Sequence, residues 1–144
     1  MGVATVLLVG VAVAVAFIAR RRRNEVEKQL TPRELADREL EELWRDKAIR
    51  EDVKVFYVRL TAIVRNYIEG TTGVHAPEQT TEEFLREIGA GERFSHEERQ
   101  RLKEFLESAD LVKFARYRPQ SSDVDDSYHR ARRFVGLAEG EAAA

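Results

Sequence analysis

The sequence predicts an all-α protein, in which one N-terminal transmembrane helix precedes a cytosolic bundle of about five helices. Three observations predict this fold class. Charged residues make up 35% of the chain, yet residues 1–19 contain none. Beyond them, helix start signals recur, and apolar residues repeat at spacings of three and four rather than in the alternation of a strand. Five amphipathic helices in about 115 residues can bury a core, so we expect a compact bundle.

The first element is an apolar segment with a basic end. Residues 2–19 are uncharged and rich in Val, Ala and Leu, and as a helix they span about 27 Å, close to the hydrocarbon thickness of a bilayer. A secretory signal would carry its basic residues first, although the small residues Ala14 and Ala16 leave cleavage open. The N-terminus is predicted outside and the remaining chain in the cytoplasm, because four arginines follow directly: Arg20, Arg21, Arg22 and Arg23. We predict a single-pass anchor over residues 1–23, in the inner (cytoplasmic) membrane.

A polar connector, residues 24–30, leads into a helical domain predicted over residues 31–138. Its first helix has Thr31 as the N-cap, Pro32 at the first helical position and Glu34 as the acid of a capping box. One face of this helix is apolar and is predicted to point to the core. The core positions on that face are Ala36, Leu40, Leu43 and Trp44.

The second helix, about residues 51–69, shows the clearest periodicity in the chain. Its apolar residues repeat at spacings of three and four, and Gly70 is predicted to stop it. A loop over residues 71–79 follows. The predicted core positions of the helix are Val53, Phe56, Tyr57, Leu60, Ile63, Val64, Tyr67 and Ile68.

Two capping boxes begin the third and fourth helices, the pairs Thr80 with Glu83 and Ser95 with Glu98. The third helix is predicted to end at Gly89 and the fourth at about Arg116. A fifth helix begins near Ser122, and residues 139–144 are predicted to be a disordered tail. The core positions are Phe84, Leu85, Ile88, Leu102, Phe105, Leu106, Ala109, Val112, Val124, Tyr128, Ala131 and Val135, with Phe134 and Leu137 beside the last stripe.

Signals for catalysis, cofactors or metals are weak. The chain has no cysteine, and its histidines lie in separate segments without a second ligand at helical spacing, so they are interpreted as surface residues: His75, His96 and His129. The segment HEERQ has Gln100 where a metalloprotease motif needs its second histidine, and no phosphate-binding loop is present. We therefore expect no enzyme, with no catalytic residue, no metal, no cofactor and no small-molecule substrate.

Nucleic-acid binding is the less favoured alternative. Without the four arginines, 20 of the 24 basic residues remain against 26 acidic ones, a net charge of about −6 that does not favour general binding to nucleic acid. A helix-turn-helix could be drawn from residues 80–88 and 96–116, but Glu97 and Glu98 would then face phosphates. A membrane-tethered regulator that binds nucleic acid stays the alternative function, although no nucleic-acid partner is expected.

The segment ESADLVKFARYRP, residues 107–119, gathers basic residues around an aromatic one. Leu111 and Phe114 fall outside the core stripe, so neighbours are expected on two sides of this helix. Cations near a helix C-terminus offset the dipole, and on that interpretation the apolar part of Tyr117 packs inward. The other interpretation is an exposed docking corner for a cytosolic protein, because Arg and Tyr are enriched in interface hot spots. The predicted docking residues are Lys113, Arg116, Tyr117 and Arg118.

Two long phrases carry a family resemblance: VKVFYVRLTAIVRNYIEGTTGVHAPEQTTEEFL at residues 53–85 and LKEFLESADLVKFARYRP at residues 102–119. They resemble the cytosolic helical domain of BatD-like proteins and of small membrane proteins encoded beside MoxR-type ATPases. The resemblance implies a membrane-anchored interaction module that works with a MoxR-type AAA+ ATPase and von Willebrand A-domain partners, and it implies no catalytic residue. The chain departs from the BatD pattern because no large β-domain precedes the apolar segment, as in a short stand-alone member or a truncated product.

Overall fold

The computed structural model describes residues 2–75 and 79–136, except for the side chains of residues 2–9 and 26–29. These residues form seven helices and no strand, which confirms the all-α class. The chain divides into two units, the first ending at Thr31 and the second beginning at Pro32. The helices are α1 Gly2–Gln29, α2 Pro32–Arg45, α3 Lys47–Glu51, α4 Val53–Thr72, α5 Thr81–Ala90, α6 His96–Phe114 and α7 Ser121–Phe134.

Helix α1 contains the apolar segment and continues beyond it. The helix runs through Arg20–Arg23 to Gln29, so most of the predicted connector is helical. Among the residues that the structure describes, no helix is long and apolar enough to cross a membrane, so the predicted transmembrane helix is not found there. The predicted span over residues 2–19 includes residues 2–9, whose side chains lie outside that description, and its described part is residues 10–19.

The second unit has six helices in its described part, where the sequence predicts about five. The additional helix is α3, which is only five residues long. Asp46 Oδ1 accepts from the amide of Ile49 (3.1 Å) and begins α3, and Asp52 Oδ1 accepts from the amide of Val55 (3.3 Å) and begins α4. Two aspartate N-caps therefore place a short helix between the first two helices that the sequence predicts.

Helix α4 is central to the second unit, because it packs against α2, α3, α6 and α7, while α5 packs against α6. The apolar periodicity predicts this core correctly, since every predicted position in the described residues is buried or partly buried. Leu137 and the predicted tail lie outside the described residues. The capping boxes of Thr80 with Glu83 and of Ser95 with Glu98 form as predicted, and α2 begins at Pro32 as predicted. The buried apolar side chains are Ala36, Leu40, Leu43, Phe56, Tyr57, Leu60, Ile63, Val64, Ile68, Phe84, Ile88, Leu102, Phe105, Leu106, Ala109, Val112, Val124, Tyr128, Ala131 and Val135.

Two buried tyrosines connect α7 to α4 and α2. The hydroxyl of Tyr57 lies 2.8 Å from Ser127 Oγ and 3.3 Å from the carbonyl oxygen of Asp123. The hydroxyl of Tyr128 donates to the carbonyl oxygen of Leu40 at 3.2 Å. Burial raises the pKa of both hydroxyls above their ordinary value, so both stay protonated at neutral pH and keep these hydrogen bonds.

Two glycines predicted as helix ends lie inside helices instead. Helix α4 continues past Gly70 and ends at Gly73, whose φ of 76° is the left-handed conformation that glycine adopts readily. Helix α5 likewise runs through Gly89. Gly70 has a different role: a Cβ there would lie 2.9 Å from Cγ and 3.0 Å from Cβ of Pro32. The missing side chain therefore permits α4 to approach the start of α2.

Gly70→Ala is expected to destabilise the bundle, although alanine favours a helix over glycine by about 1 kcal/mol. The Pro32 ring cannot rotate aside, so overlap with the new methyl group should cost about 1–3 kcal/mol and exceed that gain. Gly89→Ala is the matched control, because nothing apart from its chain neighbours and the backbone of its own helix lies within 4 Å of its Cβ position, and it should be neutral or stabilising. Urea denaturation followed by Trp44 fluorescence measures both. A Gly70→Ala variant at least as stable as the wild type would contradict the close approach.

Candidate partner-docking surface

The chain turns sharply where α6 ends. Helix α6 stops at Phe114, and Arg116 follows with a φ of 55°, in the left-handed region that costs a non-glycine residue about 1 kcal/mol or more. The amide of Tyr117 donates to the carbonyl oxygen of Leu111 at 3.3 Å. The turn places residues 116–118 just beyond the helix.

The side chain of Lys113 packs into the helical bundle and is much less exposed than residues 116–118. Its Nζ lies 3.4 Å from Asp110 Oδ1 and 3.4 Å from Thr61 Oγ1 on α4, and its side chain is only 12% exposed. Its ammonium also lies 5.3 Å from the centre of the Phe114 ring. Asp110 therefore offsets the charge of Lys113, and the role of this lysine in docking stays a prediction.

The other three predicted docking residues are on the surface. Arg116 and Arg118 are exposed, and Tyr117 is 54% exposed. About half of the tyrosine therefore faces solvent, between two exposed arginines along the chain. All three residues are on the surface just beyond the helix end, and their role in docking stays a prediction.

Two apolar side chains of α6 also face solvent. Leu111 is 54% exposed and Phe114 is 78% exposed. The expectation of neighbours on both sides of this helix is wrong, because α4, α5 and α7 bury the stripe that ends at Val112 and leave these two residues uncovered in the described part of the chain. Exposed apolar side chains mark an interaction site when they form a contiguous patch.

Helix α4 contributes to the same exposed area. Val58, which is also exposed, lines one cavity together with Phe114 and Ala62. We call three exposed apolar side chains the Phe114 surface: Val58 and Phe114, which line the cavity, and Leu111, one turn before Phe114 on α6. The cavity has a volume of about 410 Å³, and the rest of its lining is largely polar. That polar lining includes Arg65, Asn66, Gln79, Thr80, Thr81 and Asp110.

Arg65 belongs to the polar lining of this cavity. Its Nη1 donates to the carbonyl oxygen of Gln79 (2.6 Å) and its Nη2 donates to Thr81 Oγ1 (2.8 Å). Its guanidinium lies over the Phe84 ring, 5.1 Å from the centre. Burial lowers the pKa of Arg65, and Asp110 opposes that effect. The sequence gives little indication of the role of Arg65. Its position four residues after Thr61, beside the apolar stripe of α4, is the pattern that could have predicted its burial.

A second cavity, of about 600 Å³, lies between α6 and α7 and has a more charged lining. Arg101 pairs with Glu97, and Arg130 Nε lies 2.7 Å from Asp126 Oδ2, so acidic neighbours on their own helices offset these cations. Within residues 2–75 and 79–136, no three histidine, aspartate or glutamate side chains are grouped so that they could hold a metal ion.

The four arginines predicted to set membrane topology lie in α1, directly after the apolar residues 10–19. Their side chains are exposed, and Arg21 Nε lies 3.7 Å from Glu25 Oε1, one turn further along the helix. Their effect on orientation in a bilayer stays a prediction.

Comparisons with family models, curated proteins and solved structures find no match for this chain. The resemblance to BatD-like helical domains therefore stays an expectation drawn from the sequence. Function has to be inferred from the Phe114 surface and from α1.

Proposed function

We propose that this protein is a membrane-anchored interaction module that binds a cytosolic protein through the Phe114 surface. One observation carries the proposal: Phe114, 78% exposed, lines one cavity together with Val58, which is also exposed. Burial of such side chains is the main favourable term in protein association, and contiguous exposed apolar patches with a polar rim mark contact sites. Aromatic residues and arginine are also enriched at interfaces, and Arg116, Tyr117 and Arg118 follow Phe114 directly beyond the helix end.

The proposed partner is a MoxR-type AAA+ ATPase or a von Willebrand A-domain protein. Residues 53–85 and residues 102–119 are the two stretches that resemble the helical domains associated with those proteins. Val58 lies in the first stretch, and the rest of the Phe114 surface lies in the second. The same two stretches therefore carry the resemblance and form the exposed surface, which supports the choice of partner.

The anchor in this proposal is residues 2–19. Every residue from Gly10 to Ala19 is exposed. A helix without a polar face needs an apolar environment on all sides. Ten helical residues are only about 15 Å long, so the anchor requires residues 2–9 as well. Arg20–Arg23 would then hold the bundle on the cytoplasmic side, in the inner membrane.

Co-purification from membranes tests both parts of this function. The full-length protein should stay in the membrane pellet after an alkaline carbonate wash, and extraction in mild detergent should recover the ATPase or the A-domain protein with it. Phe114→Ser should reduce that recovery by about tenfold or more, as removal of an interface hot spot does. The substitution should leave the Trp44 unfolding curve unchanged, since exposed positions rarely alter stability by more than about 0.5 kcal/mol.

Arg93→Ser is the control, because Arg93 is exposed and precedes the opposite end of α6. It should leave recovery of the partner unchanged. Equal recovery with wild type and Phe114→Ser would overturn the binding part of the proposal. Release of the protein by the carbonate wash would overturn the anchoring part.

A further inference from the structure

We infer that the occupant of the Phe114 surface is an acidic amphipathic segment of the partner protein. Its apolar side chains would bind against Val58, Leu111 and Phe114, and its carboxylates would pair with Arg116 and Arg118. This inference rests on the proposed function and specifies the chemistry of the segment that binds.

The shape of the surface follows from the packing of α4 and α6. Lys113 contacts Thr61, whereas Asp110, one turn earlier on α6, acts on Arg65, one turn later on α4. The two helices are therefore antiparallel and leave a groove between them. The cavity of about 410 Å³ in this groove falls within the size of pockets that bury ligand groups. An amphipathic helix binds such grooves through apolar residues spaced three and four apart.

The charge near the Phe114 surface favours an acidic segment of the partner protein. Lys113 is offset by Asp110 at 3.4 Å, but Arg116 and Arg118 are exposed beyond the helix end. The chain after residue 23 is net acidic, whereas the first two charged residues after Phe114 are both basic and both exposed. Carboxylates on the partner would be attracted there, and a basic partner would be repelled.

The backbone at Arg116 offers a way to remove its guanidinium without loss of stability. Its φ of 55° is a conformation that glycine adopts without strain, and left-handed residues commonly follow the last turn of a helix.

A displayed library of random 16-residue peptides, selected on the full chain in zwitterionic nanodiscs, tests the inference. Selected peptides should combine Leu, Ile or Phe at helical spacing with an excess of Asp and Glu. The most enriched peptide, labelled for fluorescence anisotropy, should bind Phe114→Ser about tenfold or more weakly than wild type. Arg118→Glu should weaken binding several-fold, and the loss should shrink at high salt.

Two further variants separate binding from folding. Arg116→Gly should weaken peptide binding while leaving the Trp44 unfolding curve unchanged or shifted to higher urea, because glycine suits the left-handed position. Arg93→Glu changes the net charge as Arg118→Glu does, at the other end of α6, and should leave affinity within about twofold.

Selection of basic peptides, or of peptides that bind wild type and Phe114→Ser equally, would overturn the acidic-segment inference. A dimer in sedimentation that Phe114→Ser abolishes would assign the surface to a second copy instead. Displacement of the peptide by phosphatidylglycerol vesicles would assign it to a lipid surface. In each case, recovery of the ATPase or A-domain protein from membranes is measured separately, so the proposed function can stand while the acidic segment fails.

Discussion

Leu60→Ala is expected to lower the free energy of unfolding by about 2–5 kcal/mol, the range for fully buried leucines. Leu60 is 0% exposed and lies in α4, which packs against α2, α3, α6 and α7. Removal of its side chain leaves a cavity that the neighbouring helices would have to close. Close-packed interiors relax only partly around such a cavity, so both the lost burial and the cavity contribute.

Trp44 gives a direct readout of this change. It is the single tryptophan of the chain, and its ring stacks on Tyr128 with centres 4.3 Å apart, so its fluorescence reports on the contact of α2 with α7. Val58→Ala is the control in the same helix, because Val58 is exposed and should change stability by no more than about 0.5 kcal/mol. Equal urea midpoints for the two variants would show that Leu60 does not belong to the core.

Arg65→Met is expected to lower the free energy of unfolding by about 2–4 kcal/mol. The arginine is 9% exposed, and its guanidinium joins α4 to the start of α5 through Gln79 and Thr81. Hydrogen bonds from a charged group contribute about 1.5–3 kcal/mol each when the partners are buried. Methionine retains most of the apolar stem but donates nothing, which leaves the carbonyl of Gln79 without this donor.

The loss should be concentrated in α5. Hydrogen exchange of the α5 amides, residues 81–90, should become faster in Arg65→Met, while exchange in α2 should follow only the global change in stability. Arg65→Lys keeps the charge but replaces the two-pronged donor by a single ammonium, so it should fall between wild type and Arg65→Met. Uniform acceleration in α2 and α5 would show that Arg65 does not hold α5 specifically.

Helix positions could be predicted where the signals are local. The capping boxes at Thr80–Glu83 and Ser95–Glu98 join residues three apart, and their hydrogen bonds need no distant partner. The apolar stripe of α4 is likewise a property of one helix. By contrast, α3 was missed because its N-cap, Asp46, is an ordinary charged residue in a short polar segment, and five residues are too few to show a periodicity.

The exposure of the candidate site could be predicted only in part. The interleaving of arginine with Tyr117 predicted an exposed corner, and Arg116, Tyr117 and Arg118 are exposed, while their role in docking stays a prediction. The burial of Lys113 could not be predicted, since its contact with Thr61 joins residues 52 positions apart. Val58 could not be predicted either, because it comes next to Phe114 only where α4 and α6 pack side by side.

The sequence by itself determined the all-α class, the helix starts with capping boxes, the faces of α4 and α7 that enter the core, and the charge-free start followed by four arginines. Each of these follows from residues a few positions apart. Only the tertiary structure decided that Gly70 is a contact with Pro32 rather than a helix stop, that Arg65 holds α5, and that Leu111 and Phe114 stay exposed. The physical reason is that an apolar residue favours burial on any available surface, whereas the number and placement of neighbouring helices decide which apolar side of α6 is covered.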